Sequence, residues 1–295
     1  MDLLCIGCTG FIGSPLRKAL IRAGHHLRVV YHTNRPTTRH QNESWVSFDS
    51  DWIEHLDSID GIINLAGESI ADGLWTARRK NLIVDSRAGL CRRIVDRLGR
   101  NMHLPQVWIN ASAVGYYGDR GAETLNEDAE IGTGFLAQTC GVWESEVERA
   151  RRLGVRTLNL RFGVVLAPGG GFMKRLEPLF QKGLGTILGS GDQYMSWIHR
   201  DDVVDCILFS LDSDLQGPVN VVAPNPVTQK EFALKLAQCY SKKARFRIPA
   251  LWLKIGLGEA ASLVLFSQKA VPRRLLDAGY LFHYAHIQDA LSLTP

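Results

Sequence analysis

The chain has 295 residues, of which 45% are hydrophobic and 22% are charged, and its formal net charge is +4. This length and composition are typical of a globular protein with a well-buried core and one large or two modest domains. Positive and negative residues are interspersed without the clustering that nucleic-acid binding requires, so we expect no nucleic-acid partner.

The spacing of the cysteines bears on metal binding and on the cellular compartment. Only Cys5 and Cys8 form a C-x-x-C pair, and without a second pair or a suitably spaced histidine we expect no metal site. A redox role for the pair is an alternative. We expect free thiols in a reducing cytoplasm, and the early first strand leaves no room for a signal peptide.

No apolar run reaches the ~20 residues of a membrane span. The longest candidate, 251–266, contains Lys254 and Glu259 and is interpreted as a packed helix pair. We therefore expect no membrane partner.

Short apolar segments alternate with helical patterns over residues 1–165. The predicted strands are Leu3–Ile6, Leu27–Tyr31, Trp45–Phe48, Gly61–Asn64, Val107–Ala111 and Thr157–Val165, and the predicted helices are Ser14–Ala23, Arg78–Leu98 and Phe135–Arg152. Such alternation indicates a parallel sheet with right-handed crossovers. We predict an α/β fold, a Rossmann-type doubly wound parallel sheet, whose ligand crevice lies outside the carboxyl ends of its strands.

The pattern changes after Val165. A helix over Asp201–Leu211 and a strand over Pro218–Val222 are expected to rejoin the sheet, and from Val227 the chain is mostly helical. The predicted organisation is a Rossmann domain over 1–165, rejoined by 200–225, and a smaller, mostly helical substrate-side lobe over 166–199 and 226–295, which includes a C-terminal helical domain.

A glycine-rich turn, GCTGFIG (7–13), joins the first strand to the first helix. Gly7 permits the tight turn, Gly10 lets the backbone approach a pyrophosphate, and Gly13 permits close packing of helix on strand. Its position between a buried strand and an amphipathic helix predicts a dinucleotide-binding site, and a simple turn is the alternative.

The end of the second strand bears on which dinucleotide binds, because an acid there holds the ribose 2′-hydroxyl in NAD sites. No Asp or Glu lies between Gly24 and Glu43, whereas Arg28, Arg35 and Arg39 do. These cations favour the 2′-phosphate of NADP, while NAD is the alternative. Arg35 is the candidate clamp, unless this is an exposed basic loop that contacts nothing.

Together the motifs resemble the extended short-chain dehydrogenase/reductases, and more narrowly the epimerase-like family often described as sugar-nucleotide epimerases or cell-division inhibitors. The matching segments are IGCTGFIG (6–13), INLAGESIADGLWT (63–76), ASAVGYYGD (111–119), LRFGVVLAPGGG (160–171), GSGDQYMSWIHRDDVV (189–204) and LFSQKAVPRRLLDAGYLF (265–282). They span nearly the whole chain. The last lies in the family's small C-terminal helical domain, which has no assigned function.

The resemblance implies a set of cofactor-binding residues. They are Gly7, Thr9, Gly10, Phe11, Ile12 and Gly13 at the pyrophosphate, Tyr31 and His32 at the adenosine ribose, Leu65, Ala66 and Gly67 after the fourth strand, Arg87 on the next helix, and Val164 beside the nicotinamide. The family usually has arginine at the position of His32, and this departure reduces the predicted preference for NADP.

Short-chain dehydrogenases transfer hydride with a Tyr-x-x-x-Lys pair, whose lysine lowers the pKa of the tyrosine. None of the seven tyrosines here has lysine four residues later, and the matching positions fall near Leu136 and Cys140. Ser112 and Tyr116 are the candidate catalytic residues, with Tyr117 beside them. The alternative is that these side chains only shape the pocket.

Other residues lie in the segment that closes the substrate side in extended enzymes. They are Gln193, Trp197, His199 and Asp202. A histidine near a nicotinamide is a candidate general base, but this pattern is more typical of an anchor between lobes. The glycine run 169–171 could bind a substrate anion or act as a hinge.

Two functions remain open. The first is an NADP(H)-dependent oxidoreductase or epimerase acting on a small or nucleotide-linked substrate. The second is a non-catalytic NADP(H)-binding sensor or regulatory protein, which the missing pair favours, since function depends on the site and not on the fold. We expect a small-molecule substrate and a monomer or homodimer.

Overall fold

A computed structural model describes residues 1–32 and 40–292 of the chain. Its central sheet consists of the parallel strands β1 (Asp2–Ile6), β2 (His26–Tyr31), β3 (Glu43–Ser47), β4 (Gly61–Asn64), β5 (Val107–Ala113), β6 (Arg156–Phe162) and β7 (Gly217–Val221). Their spatial order is β3-β2-β1-β4-β5-β6-β7. The predicted Rossmann topology is confirmed, and the crevice lies where the order reverses between β1 and β4.

Helices cover both faces of the sheet. They are α1 (Gly13–Arg22), α2 (Ala77–Val84), α3 (Leu90–Leu98), α4 (Phe135–Arg152), α5 (Met173–Gln181), α6 (Arg200–Asp212), α7 (Gln229–Cys239), α8 (Ala250–Leu257), α9 (Ser262–Leu265), α10 (Arg273–Asp277) and α11 (Ile287–Leu291). Leu16 of α1 and Ile207 of α6 are buried on one face, and Ile94 of α3 and Val147 of α4 are buried on the other. Because both faces are covered, the central strands β1 and β4 are buried along almost their whole length.

Short pieces complete the chain. They are the 3-10 turns Trp52–His55, Val114–Tyr117 and Gly258–Ala261, and the strands Thr124–Leu125, Val164–Leu166, Thr186–Leu188, Tyr194–Met195, Trp197–His199, Val227–Thr228, Phe246–Ile248 and Lys269–Ala270. Several of these belong to the chain after β6, where a further core forms around Trp197 and Phe232. The division into a Rossmann domain over 1–165 and a substrate-side lobe remains a prediction.

The predicted strand Thr157–Val165 is in fact two strands. Residues Val164–Leu166 leave the sheet and pair in parallel with Trp197–His199. The change occurs at Gly163, where a Cβ atom would lie 2.7 Å from the carbonyl oxygen of Ser196. The close approach of these two segments therefore ends β6.

The predicted helix Arg78–Leu98 contains an irregular turn. Residues Asp85–Gly89 adopt a π-helical turn between α2 and α3. Such turns are rare and occur mostly as single insertions at functional sites. This one contains Arg87, one of the residues that the family resemblance assigns to the cofactor.

The apolar stretch 251–266 is not the packed helix pair that we expected. It forms most of α8, a 3-10 turn and α9, but Leu251, Trp252 and Ile255 of α8 are 65%, 64% and 66% exposed. Over the described ranges, no helix is both long enough and apolar enough to cross a membrane.

Asp202 and His199 anchor the C-terminal segment to the start of α6. The buried Asp202 carboxylate accepts hydrogen bonds from the backbone N–H groups of His283 (2.9 Å) and Tyr284 (3.0 Å). His199 accepts the N–H of Asp201 at Nδ1 (3.3 Å), and its ring lies 4.0 Å from that of Tyr284. Burial lowers the pKa of His199, which favours the neutral ring that this cap requires.

Gln193 and Trp197 bind backbone in the same region. The Gln193 amide donates to the carbonyls of Leu188 and Val264, both at 2.9 Å, and the Trp197 indole donates to that of Asn225 at 3.0 Å. These contacts support the structural reading of the segment over a catalytic one.

Replacing Asp202 with alanine should destabilise the protein by about 2–4 kcal/mol, because two N–H groups lose their acceptor where little water can replace it. Urea unfolding measures the change. Asp201→Ala is the matched control, since this neighbouring carboxylate is exposed, and it should cost less than about 1 kcal/mol. Equal losses in the two variants would contradict the anchoring role of Asp202.

Candidate functional site

A crevice runs along the carboxyl ends of the central strands. It consists of an outer cavity of about 790 Å³, beside His32 and Arg93, and an inner cavity of about 570 Å³, beside Ser112. The two share the lining residues Gly7, Gly10, Leu65, Ala66 and Gly67. This shape suits an extended ligand with two bulky ends and a narrow centre.

The shared lining depends on the glycine turn after β1. Gly7 has φ +78°, and a Cβ atom there would lie 2.6 Å from the carbonyl carbon of Leu65, so only glycine fits. A Cβ at Gly13 would lie 2.3 Å from the Cα of Cys8. At Gly10 the nearest atom to such a Cβ is 3.4 Å away, and the space above it opens into both cavities.

The N-terminus of α1 brings unpaired N–H groups to this opening. The N–H of Ser14 donates to the carbonyl of Gly10 at 2.9 Å. The N–H groups of Phe11, Ile12 and Gly13 have no acceptor within the part of the chain that the structure describes. Free N–H groups at a helix N-terminus carry partial positive charge and bind anions.

The outer cavity has apolar walls with polar groups between them. Its lining includes Thr9, Val30, His32, Phe48, Leu82, Asp85, Ser86, Leu90 and Arg93. The His32 ring stacks on the ring of Phe48, with centroids 3.9 Å apart. Tyr31 does not occur among the described lining residues, and its ring packs towards Trp45 instead.

The cations near the outer cavity differ from those that the sequence indicated. Arg28 turns away and donates to the carbonyl of His55 at 2.7 Å. Arg35 and Arg39 lie outside the described residues. Arg93, which we did not predict, lines the cavity, and no carboxylate pairs with it within residues 1–32 and 40–292. It lies two helical turns after another lining residue, Ser86, but nothing in the sequence marks Ser86 as a lining residue either.

Arg87 lines the inner cavity. Its guanidinium donates to the carbonyls of Glu68 (2.9 Å) and Ile83 (3.1 Å) and lies 5.4 Å from the ring of Trp143. A Cβ at Gly67 would lie 2.9 Å from its Cζ atom. Burial lowers the pKa of Arg87, but its ordinary pKa is so high that the charge is retained.

Ser112 lies in the inner cavity, at the end of β5. Its hydroxyl donates to Oε1 of Glu144 on α4 at 2.6 Å. Leu136 and Cys140, the positions where the family would have tyrosine and lysine, line the same cavity. Burial raises the pKa of Cys140 to about 12, so neither position offers a group that ionises near neutral pH.

Glu144 is held by Arg161 of β6. The buried Arg161 contacts both carboxylate oxygens, with Nη2–Oε2 at 2.8 Å and Nε–Oε1 at 3.0 Å. Burial lowers the pKa of Arg161, but hydrogen bonds to Glu144 and its charge outweigh this and keep that pKa above its usual value. Arg161 therefore stays charged and holds the Glu144 carboxyl group next to Ser112.

The two candidate tyrosines belong to the surroundings of Arg161. Its guanidinium lies 3.5 Å from the centroid of the Tyr116 ring, and its Nη1 donates to the hydroxyl of Tyr117 at 2.9 Å. Neither tyrosine occurs among the described residues that line the two cavities.

Val164 and the glycine run 169–171 lie beside the inner cavity but are not among its described lining residues. Phe162 and Gly163 line the inner cavity, whereas Val164 packs against the core of the later part of the chain. A Cβ at Gly170 would lie 2.1 Å from the ring of Phe11. The small residue therefore makes room for this aromatic ring, which is itself part of the inner lining.

The Cys5-x-x-Cys8 pair lies behind the glycine turn. Both are buried free thiols, and a hydrogen bond with Cys8 together with burial raises the pKa of Cys5 well above its usual value. This favours core packing over redox chemistry. Among the described residues, no group of three or more histidine, cysteine, aspartate or glutamate side chains could hold a metal ion.

Two family models match the chain. Residues 3–223 match the NAD dependent epimerase/dehydratase family, and residues 248–293 match a domain of unknown function, DUF1731. An epimerase family protein of Mycobacterium bovis is 37% identical over 293 residues, which cover 97% of this chain and 94% of that protein. The epimerase family protein YfhF of Bacillus subtilis is 35% identical, with 99% and 97% covered.

Solved structures show the same fold. The crystal structure of the human epimerase family protein SDR39U1 (isoform 2) with NADPH has a TM-score of 0.87 and 28% identity, and 99% of this chain and 98% of that chain are covered. UDP-glucuronic acid 4-epimerase from Bacillus cereus, solved with UDP-glucuronic acid and NAD, has a TM-score of 0.78 at 17% identity, with 99% and 97% covered. The chain therefore belongs to the NAD dependent epimerase/dehydratase family of extended short-chain dehydrogenase/reductases, as its sequence motifs predicted.

Proposed function

We propose that this protein binds NADP(H) and acts as an oxidoreductase or epimerase on a small or nucleotide-linked substrate. The observation that carries the proposal is the set of N–H groups at Phe11, Ile12 and Gly13, which have no acceptor among the described residues. These residues line the inner cavity directly after Gly10, which lines both cavities. A pyrophosphate is the central anion of a dinucleotide, and this position suits it.

The crevice residues fit such a cofactor. The pyrophosphate would lie over Gly10, where a side chain is missing, with the adenosine in the outer cavity and the nicotinamide in the inner one. When bound, the cofactor supplies the hydride acceptor or donor. The human relative was solved with NADPH, which supports this class of cofactor. The proposed binding residues are Gly7, Thr9, Gly10, Phe11, Ile12, Gly13, His32, Leu65, Ala66, Gly67 and Arg87.

NADP(H) is proposed over NAD(H) for an electrostatic reason. The outer cavity contains Arg93 and His32, and β2 ends without a carboxylate. A 2′-phosphate carries close to two negative charges and would gain from these groups. Asp85 also lines this cavity, so the 2′-phosphate would have to lie on the Arg93 side of it.

Ser112 is the proposed catalytic residue in place of the missing pair. Its oxygen can accept a hydrogen bond from a substrate hydroxyl, while its own proton already points to Glu144 at 2.6 Å. As hydride leaves the substrate carbon, the substrate hydroxyl proton would pass to Ser112 and the Ser112 proton to Glu144. At the end of this transfer Ser112 is neutral and Glu144 is protonated. In the reduction of a carbonyl substrate, the protons move in the opposite direction, from Glu144 through Ser112 to the substrate oxygen.

Tyr116 is the weaker catalytic candidate. Its ring lies over Arg161 at 3.5 Å, and it is not among the lining residues that the structure describes. We propose that Tyr116 shields the Arg161–Glu144 pair and does not contact the substrate.

A non-catalytic NADP(H)-binding sensor is a second candidate function. The inner cavity has Leu136 and Cys140 at the positions of the usual proton donor and its lysine. A protein that had lost turnover would still keep the pyrophosphate site, which lies apart from these residues.

The remaining expectations form part of the proposal. All six cysteines are free thiols, five of them buried, which suits a reducing cytoplasm. A small-molecule substrate fits the dimensions of the inner cavity, and a monomer or homodimer is the proposed assembly.

Replacing Gly10 with leucine should abolish cofactor binding, because the side chain would enter the space proposed for the pyrophosphate. NADPH at about a hundredfold excess over its dissociation constant should stabilise the native protein by about 2.7 kcal/mol, seen as a rise in melting temperature. Gly99→Leu, at an exposed glycine outside the crevice, should keep this rise. A full rise in the Gly10 variant would contradict the proposed site.

Arg93→Ala should weaken NADPH binding about tenfold or more, because a charged hydrogen bond to the 2′-phosphate is lost, and should leave NADH binding unchanged. Calorimetric titration with each cofactor measures both constants. The control is Arg100→Ala, which removes an exposed arginine beyond the end of α3. Equal weakening for NADPH and NADH would remove Arg93 from the choice between cofactors.

Ser112→Ala should lower turnover by about 10²-fold or more, while Tyr116→Phe should leave it within about twofold. The assay follows the absorbance of reduced cofactor against a panel of carbonyls and nucleotide sugars. Loss of turnover in the Tyr116 variant alone would reverse the two roles. Tight NADPH binding without turnover of any panel member would favour the sensor.

A further inference from the structure

An apolar face lies outside the crevice, on α8 and the strand before it. We call Phe246, Leu251, Trp252 and Ile255 the α8 face, and these side chains are between 52% and 66% exposed. Successive helical residues are rotated by about 100°, so positions 251, 252 and 255 share one side of α8. The buried Leu253 occupies the opposite side of the helix. The α8 face therefore points outward because α8 packs on the protein through the side that carries Leu253.

Positive charge is concentrated on the same stretch of chain. Residues 242–259 contain five basic residues and one acidic residue, so their net charge is +4, which is also the formal net charge of the entire chain. The basic residues are Lys242, Lys243, Arg245, Arg247 and Lys254. All five are exposed, and none forms an ion pair with a residue that the structure describes, whereas the acidic Glu259 pairs with Lys80.

This combination of groups limits what can cover the α8 face. A second copy of the chain, paired about a two-fold axis, would bring the same five cations close to one another, and like charges oppose association. Tryptophan and aliphatic side chains bordered by lysine and arginine are instead typical of helices that lie in the boundary between lipid headgroups and acyl chains. Anionic headgroups would neutralise the cations.

We propose that the α8 face binds the surface of an anionic lipid membrane. Leu251, Trp252 and Ile255 enter the headgroup boundary, and the five cations contact lipid phosphates. We expected no membrane partner from the sequence because no segment is long enough to span a bilayer. Binding at the surface needs no span, and the exposure of the α8 face became visible only in the structure.

Membrane binding would bring the lipid surface close to the crevice. The turn Gly258–Ala261 follows α8 directly, and its Ala260 packs in one cluster with Trp75 and Ile83. Ile83 is also part of the inner cavity lining. The turn that directly follows α8 therefore packs against a side chain in the wall of the proposed catalytic cavity.

Sedimentation with lipid vesicles tests the proposal on the full chain. The protein should sediment with phosphatidylcholine vesicles that contain about one-third phosphatidylglycerol, and not with phosphatidylcholine alone. The double variant Trp252→Ser/Ile255→Ser should lose this binding because its apolar contact is removed. Lys242→Glu/Lys243→Glu should weaken it by about fivefold or more for each charge reversed.

Matched controls keep the outcome unambiguous. Leu281→Ser removes an apolar side chain that lies outside the α8 face and is 83% exposed. Lys18→Glu/Arg22→Glu reverses two exposed charges on α1. Both variants should bind vesicles like the native chain. A melting temperature close to that of the native protein verifies the fold of every variant. The proposal is overturned if the native chain does not sediment with anionic vesicles, which is the result expected if the partner is an acidic protein. It is equally overturned if the Trp252/Ile255 variant still binds them.

Discussion

The contact between the turn after β1 and the chain after β4 is the constraint on which the crevice depends. Because Gly7 and Gly13 have no side chains, α1 packs directly on this turn, and its first N–H groups face open space above Gly10. The turn lies at the reversal of strand order, where flanking connections diverge and leave room for a ligand. The same glycines that allow this close packing therefore leave the space that we propose for the pyrophosphate.

The inner cavity differs electrostatically from the usual short-chain dehydrogenase site, where a lysine lowers the pKa of a catalytic tyrosine. Leu136 and Cys140 supply no proton near neutral pH, and the Glu144–Arg161 pair lies behind Ser112, which lines the cavity. A buried ion pair is weak evidence for stability, since desolvation offsets much of its attraction. Its value here is that a carboxylate is held in a defined position behind a hydroxyl.

The sequence predicted the doubly wound parallel sheet and located the glycine turn after β1, because strand–helix alternation and glycine spacing are local signals. Arg28 points away from the outer cavity, whereas Arg93 lines it. Both positions depend on loop packing and on the π-helical turn, and no local sequence pattern indicates them. Val164 does not line the inner cavity because β6 ends at Gly163, and a strand break at a tertiary contact cannot be seen in the periodicity of the sequence. The exposure of Trp252 was not predicted, because an apolar segment has the same sequence pattern whether its side chains are buried or exposed.

The most direct test of the account is a crystal structure of the protein with NADPH. We expect pyrophosphate oxygens about 3 Å from the backbone nitrogens of Phe11, Ile12 or Gly13, with the nicotinamide in the inner cavity beside Ser112. A pyrophosphate bound away from these nitrogens, or a crevice that stays empty in saturating NADPH, would contradict it.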